Sequence, residues 1–239
     1  MRKKLGLLSL LFLMSCTEQK KTDTLVFATS ADYPPFEFKD DGQITGLDIE
    51  LSHAISQEIS KKIEFKDMQF NTLFESLKNG SVDAVIATIV ATEERAKLFD
   101  FSDVYYKETL ALITKTNDQY NEEKLKGQKI AYQLGAMNIE NWIKQNIKEA
   151  ELIAINHANQ AIESLKAGHV SAVVVDGAQA QSFITNNSGL EYKIIPSENP
   201  GYVIATKKGS ALKEEINTAL AKLKANGKLE EIITKWMKG

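Results

Sequence analysis

One sixteen-residue pattern occurs twice in this chain. Residues 73–88 (LFESLKNGSVDAVIAT) and 161–176 (AIESLKAGHVSAVVVD) align at an offset of 88, with eight identical positions. These are Glu75/Glu163, Ser76/Ser164, Leu77/Leu165, Lys78/Lys166, Gly80/Gly168, Val82/Val170, Ala84/Ala172 and Val85/Val173. In each copy apolar residues at helical spacing run up to a glycine, which stops a helix. A mostly apolar, β-branched run follows, as in a strand buried on both faces. A helix and a buried strand repeated once in each half call for two lobes of similar plan. Helix–glycine–strand units also converge on such patterns in unrelated chains, and the length by itself admits one large domain.

The remaining segments alternate in the same way. Strands are expected at 24–29, 63–68, 129–133, 151–155, 192–195 and 202–206. Asp48 reads as the cap of a helix striped by Leu51, Ala54, Ile55 and Ile59, and Asn71 as the cap of the helix in the first repeat. Ile139, Trp142, Ile143 and Ile147 stripe a further helix, and another is expected at 179–185. The chain ends in two helices divided by Gly227, one striped by Leu212, Ile216, Ala219, Leu220 and Leu223, the other by Leu229, Ile232, Ile233 and Trp236. Strands alternating with helices predict an α/β fold of open, mostly parallel sheets.

The start of the chain is read as a targeting leader. Arg2, Lys3 and Lys4 precede an apolar run, 5–13, that is too short to span a bilayer. Leu13-Met14-Ser15-Cys16 then resembles a lipobox, with Met14 an uncommon residue at its place. Cys16 is the single cysteine, so no disulfide can form within the chain. The expectation is a lipoprotein signal peptide over 1–15, a lipid anchor on Cys16 and a polar tether over 16–23. Loss of the leader takes the formal charge from −3 to −6 as its three cations leave. A mildly acidic body excludes the dense cationic contacts of a nucleic-acid binder.

Three spaced motifs carry a family resemblance over residues 24 to the C-terminus. They are Tyr33-Pro34-Pro35-Phe36-Glu37-Phe38, Gly46-Leu47-Asp48-Ile49-Glu50-Leu51, and Thr92-Glu93-Glu94-Arg95 with Phe99-Asp100-Phe101-Ser102 and Tyr105-Tyr106 behind it. The chain resembles the extracellular amino-acid-binding proteins of ABC importers, bacterial solute-binding protein family 3, in lipoprotein form. The resemblance implies a type II periplasmic-binding-protein fold: two α/β lobes, each an open mostly parallel sheet flanked by helices, joined by two crossing hinge segments. Lobe 1 would comprise 24–107 and 205–239, and lobe 2 108–204. The hinges are placed near 105–109 and 200–205.

It also implies a monomer in the cell envelope, lipid-anchored outside the cytoplasmic membrane or in the periplasm. Its partners would be a free amino acid and the ABC permease subunits, with no nucleic acid and no cofactor. Arg95 and Asp176 match the family's carboxylate- and ammonium-binding residues, and Tyr33 and Phe70 its two aromatics flanking the ligand side chain.

The residue chemistry agrees with those roles and leaves plainer ones open. Thr92 caps a helix whose first turn carries Arg95, a few residues beyond a buried strand, where open α/β sheets bind ligands. Arg95 offers a planar fork for a carboxylate, or is a surface arginine paired with Glu93 or Glu94. Asp176 ends the second repeat's strand. Tyr33 and Phe70 supply aromatic faces, or core packing. Thr88 keeps a hydroxyl near the site, and Gln133 joins Asp32 and Glu37 in suiting a polar or basic ligand side chain, unless these acids face water.

Ala136 stands where the family has a threonine, but its backbone N–H at a helix start is expected to face an anion. Val90 and Ser30 likewise depart from the family's hydroxyl and aspartate. His53, His157 and His169 have no metal-ligand spacing, and neither a phosphate loop nor a nucleophile elbow is present. The alternatives to a transport protein are a dehydratase-like enzyme on the same fold, with Glu37 and Asp176 as acid–base residues, and a ligand-sensing receptor lobe.

Overall fold

Three parallel strands begin each of the two main sheets. In the computed structural model, residues 24–116, 118, 122–197 and 201–237 are described. The expected leader (1–15), the tether (16–23) with Cys16, and Pro200 of the second hinge lie outside them. The first half contains β1 (Thr24–Thr29), β2 (Asp32–Tyr33), β3 (Glu37–Asp40), β4 (Gln43–Thr45), α1 (Leu47–Ile59), β5 (Lys62–Asp67), α2 (Leu73–Asn79), β6 (Ala84–Val85), α3 (Glu93–Ala96) and β7 (Phe99–Phe101). Then come β8 (Leu110–Lys115), α4 (Glu122–Leu125), β9 (Lys129–Gln133), α5 (Met137–Asn146), β10 (Glu151–Ile155), α6 (Ala158–Ala167), β11 (Ala172–Asp176), α7 (Gly177–Asn186) and β12 (Leu190–Ile195). β13 (Ala205–Lys207), α8 (Leu212–Ala225) and α9 (Lys228–Met237) finish the described chain.

The first sheet runs β5-β1-β6-β13-β7 and the second β10-β9-β11-β8-β12. β5, β1 and β6 are parallel, as are β10, β9 and β11, and the remaining two strands of each sheet bring antiparallel pairings. The repeat accounts for this likeness. Its copies are α2–β6 and α6–β11, and β6 and β11 hold the same central place in their sheets, beside β1 and β9. Gly80 and Gly168 end the two helices in the left-handed conformation, at φ 84° and 77°. β11 is buried throughout, as its run of valines requires. A small antiparallel sheet, β2-β3-β4, carries the Tyr33 loop.

Residues 102–109 pass from the first sheet to the second, and 201–204 lead back into the first. These crossing segments pair with each other: Tyr202 N–H donates to Tyr106 C=O at 2.7 Å, and Tyr105 N–H donates to Tyr202 C=O at 3.0 Å. α8 and α9 then pack on α1, so the chain ends against its own first half. Trp236 Nε1 and Lys235 Nζ both donate to Glu50 Oε2 of α1, at 2.8 and 2.6 Å.

Local expectations fail at three places. The strand expected over 82–88 is regular only at Ala84–Val85, because Thr88 turns out of it at φ 47°. Asn71 does not cap α2: residues 70–72 form a 3-10 turn, and α2 has no side-chain cap. Asp48 does not cap α1 either. Gly46 occupies the cap position, and the Asp48 side chain is fully buried.

Gly46 is required by both conformation and contact. Its φ is 125°, and a Cβ there would lie 2.1 Å from the Phe36 carbonyl oxygen. Gly46→Ala is expected to cost at least about 3 kcal/mol, read as a drop in melting temperature.

Candidate functional site

A buried guanidinium and a buried carboxyl, neither with an ionic partner among the described residues, mark the contact between the lobes. Thr92 caps α3 through its hydroxyl, which accepts from Arg95 N–H at 3.3 Å. This short turn directs the Arg95 side chain inward, where it is 8% exposed. Nη1 donates to Val90 C=O at 2.9 Å, and Nη2 crosses to the second sheet's side and donates to Gly135 C=O at 2.8 Å. The guanidinium carbon lies 4.3 Å from the centre of the Phe74 ring. Among the described residues no carboxylate pairs with Arg95, so the reading as a surface arginine bonded to Glu93 or Glu94 is ruled out. Burial alone lowers its pKa to about 10.

Asp176 is the mirror case. It ends β11 and is 4% exposed. Tyr33 Oη donates to its Oδ2 at 2.6 Å from the other lobe, while Oδ1 has no partner among the described residues. Burial raises its pKa to about 7, against the favourable Tyr33 and Tyr202 hydroxyls and with a further rise from Glu108. The Tyr202 hydroxyl approaches Asp176 closely enough to favour its ionised form, yet does not close a well-aligned hydrogen bond.

The other expected site residues divide. Tyr33, Phe70, Thr88, Gln133 and Ala136 are all buried. Phe70 packs at the interlobe contact: a Cβ on Gly135 would lie 3.3 Å from its ring. Gln133 Nε2 is buried without a partner among the described residues. The Ala136 N–H is not turned to an anion, because it donates to Gln133 C=O at 3.0 Å in the turn that starts α5.

Asp32 and Glu37 do not face open water. Asp32 Oδ2 lies 2.6 Å from Nδ1 of His157, at the cap position of α6 in the second lobe, and its Oδ1 accepts from Ser30 Oγ at 3.2 Å. Glu37 is 1% exposed, its Oε2 has no partner among the described residues, and burial, then the nearby Asp48, raises its pKa well above the usual carboxylate range. Sequence reasoning missed Asp48, Tyr105 and His157 as parts of this neighbourhood. Asp48 carried a signal, being an acid inside a family motif, but helix capping explained it too readily. His157 carried none, since its partner lies 125 positions away.

Two α/β lobes joined by two crossing segments, with a buried cation from one and a buried anion from the other at their contact, define a two-lobed protein that takes its ligand between the lobes. The comparisons with known proteins give the family. Residues 25–239 match the model of the bacterial extracellular solute-binding proteins, family 3, and the chain belongs to that family.

The arginine-binding extracellular protein ArtP of Bacillus subtilis (strain 168) is 33% identical over 220 residues, which is 90% of this chain and 86% of that protein. The ABC transporter glutamine-binding protein GlnH of the same organism is 34% identical over 227 residues, 92% of this chain and 83% of that protein. Among solved structures, an ancestral arginine-binding protein bound to glutamine superposes with a TM-score of 0.82 at 37% identity, covering 90% of this chain and 97% of that one.

Proposed function

We propose that this protein binds a free amino acid between its lobes and delivers it to the membrane subunits of an ABC-type importer. One observation carries the reading: a guanidinium and a carboxylate, both buried and, among the described residues, both without an ionic partner, come from opposite lobes. An α-amino acid supplies the two missing charges on one carbon. Its carboxylate suits the fork of Arg95, and its ammonium suits Asp176. Thr88 and Gln133 add polar contacts, and Tyr33 and Phe70 enclose the side chain. The relatives' names, for arginine, glutamine and cystine, favour a polar or basic side chain.

Closure follows from the placement of the charges. Lobe 1 comprises 24–107 and 205–239, lobe 2 comprises 108–204, and the ligand satisfies both ions only when they meet. Binding therefore favours the closed form by its differential affinity. The permease subunits would read that closed shape. We take the protein as a carrier and not an enzyme, because the relatives it matches are named as binding proteins. A lipid on Cys16 would hold a monomer at the outer side of the cytoplasmic membrane or in the periplasm.

A thermal-shift screen against the twenty amino acids tests the reading. A true ligand at a hundredfold excess over Kd stabilises by about 2.7 kcal/mol. If none of the twenty moves the melting temperature, the protein is not an amino-acid carrier.

A further inference from the structure

The starts of the two repeated helices each meet the opposite lobe. In the first copy, residues 70–72 lead into α2 and lie against Gly135, in the turn after β9. A Cβ on Gly135 would be 3.3 Å from the Phe70 ring and 3.3 Å from Asn71 Cα. In the second copy, α6 approaches β2, which follows β1. The residue that reaches across there is His157, at the cap position of α6. At the repeat's offset of 88 it stands where the first copy has Gln69.

His157 does little for its own helix. A cap position favours Ser, Thr, Asp or Asn, whose side chains accept from the first turn. The His157 ring makes no such bond. Its Nδ1 lies instead 2.6 Å from Asp32 Oδ2 in the first lobe. A carboxylate only accepts, so Nδ1 carries the proton and donates. Asp32 is held ready on its loop: its Oδ1 accepts from Ser30 Oγ at 3.2 Å, and its N–H donates to Ser30 C=O at 2.8 Å. The two side chains are 37% and 19% exposed, which puts the pair at the rim of the contact, outside the buried site.

β2 has only two residues, and both are bonded to the second lobe. Tyr33 Oη donates to Asp176 Oδ2 at 2.6 Å and accepts from the Asp176 N–H at 3.3 Å. Successive residues of a strand point to opposite faces, so Asp32 and Tyr33 fasten β2 on two sides. We propose that His157 is a positioning residue: by holding Asp32 across the gap when the lobes meet, it keeps β2 and Tyr33 against Asp176 and so slows opening and ligand release. The role rests on the proposed amino-acid site, although the pair itself lies outside it.

Substitutions at one position separate this role from a structural one. His157→Asp supplies a better helix cap but sets two carboxylates face to face. It should melt no lower than the parent without ligand, yet release L-arginine about three- to tenfold faster, with association unchanged. His157→Asn keeps an N–H donor close to the place of Nδ1 and should restore slow release. Asp32→Ala and His157→Ala should each speed release, and the double variant should be no faster than either. Release at the parent rate in His157→Asp, additive effects in the double variant, or a lower melting temperature with unaltered release overturns the proposal.

A second measurement needs no amino acid. Single-molecule fluorescence between dyes on the two lobes reads the time spent closed without ligand. His157→Asp should shorten it and His157→Asn should not, and equal closed fractions in His157→Asp and the parent overturn the proposal. If none of the twenty amino acids binds the parent, the carrier reading fails, while the closed fraction still decides the contact.

Discussion

Arg95→Ala should abolish amino-acid binding while leaving the ligand-free protein as stable as before. The guanidinium is 8% exposed and, among the described residues, is satisfied only by two backbone carbonyls and the face of Phe74. Those partners are neutral, so the ion bears a desolvation cost that none of them offsets with charge. The lowered pKa, about 10, has the same cause, and the group still stays ionised at neutral pH. A ligand carboxylate would complete a buried ion pair. Taking one partner from such a pair costs about 3–5 kcal/mol, or roughly two to three and a half orders of magnitude in Kd.

Removing the cation in the absence of ligand has the opposite balance. Two hydrogen bonds of modest worth are lost, and the cost of burying a charge is relieved. The melting temperature of the ligand-free variant should therefore stay close to that of the parent or rise. Calorimetric titration and thermal melts on the same samples separate the two effects. A ligand-free variant that melts many degrees lower would mark Arg95 as a structural residue. Arg95→Lys should recover only part of the affinity, since a point charge cannot reproduce the two parallel bonds of the fork.

The plan of the fold was legible because it is written in periodicity and in the repeat. The copies at 73–88 and 161–176 became equivalent helix–strand units in two sheets, each helix stopped by a left-handed glycine. The two main ions were legible for a related reason. Asp176 is the last residue of a buried strand and Arg95 lies in the capped turn α3 that follows one, where chain geometry leaves them few places to go.

What sequence could not give was the bonding of side chains far apart in the chain. Asp48 fits the local rule for a helix cap, yet it is drawn inward by Thr88 and Tyr105, 40 and 57 positions away. Asp32 has the composition of a ligand contact, yet it meets a histidine from the other lobe. The Ala136 amide fits the rule for an anion site, yet a tight turn at Gln133 takes it first. Each failure replaces a local preference with a partner that only the tertiary fold supplies.

Asp176 should make that binding depend on pH, with affinity rising as pH rises and levelling off above about 7. Burial keeps its pKa near 7 in the ligand-free protein. An ammonium ligand needs the ionised form, and its charge would pull the pKa down. Below pH 7 binding must therefore release a proton, and affinity should climb about tenfold per pH unit. Folding stability has the reverse slope. A carboxyl raised in the folded state from about 3.9 binds a proton that the unfolded chain does not, so its contribution is greatest below pH 4 and is lost as pH rises through 7.

Glu37 and Asp48, also raised, add to the stability slope with the same sign, whereas the binding slope depends on Asp176. Titrations at pH 6 in two buffers of different ionisation enthalpy would count the released proton. Asp176→Asn should remove that release and weaken amino-acid binding at neutral pH by about 3–5 kcal/mol, because the ligand ammonium then loses its buried counter-charge on the second lobe. Affinity that is flat between about pH 5 and 8 would place the ammonium elsewhere and leave the Asp176 carboxylate a partner of Tyr33 alone.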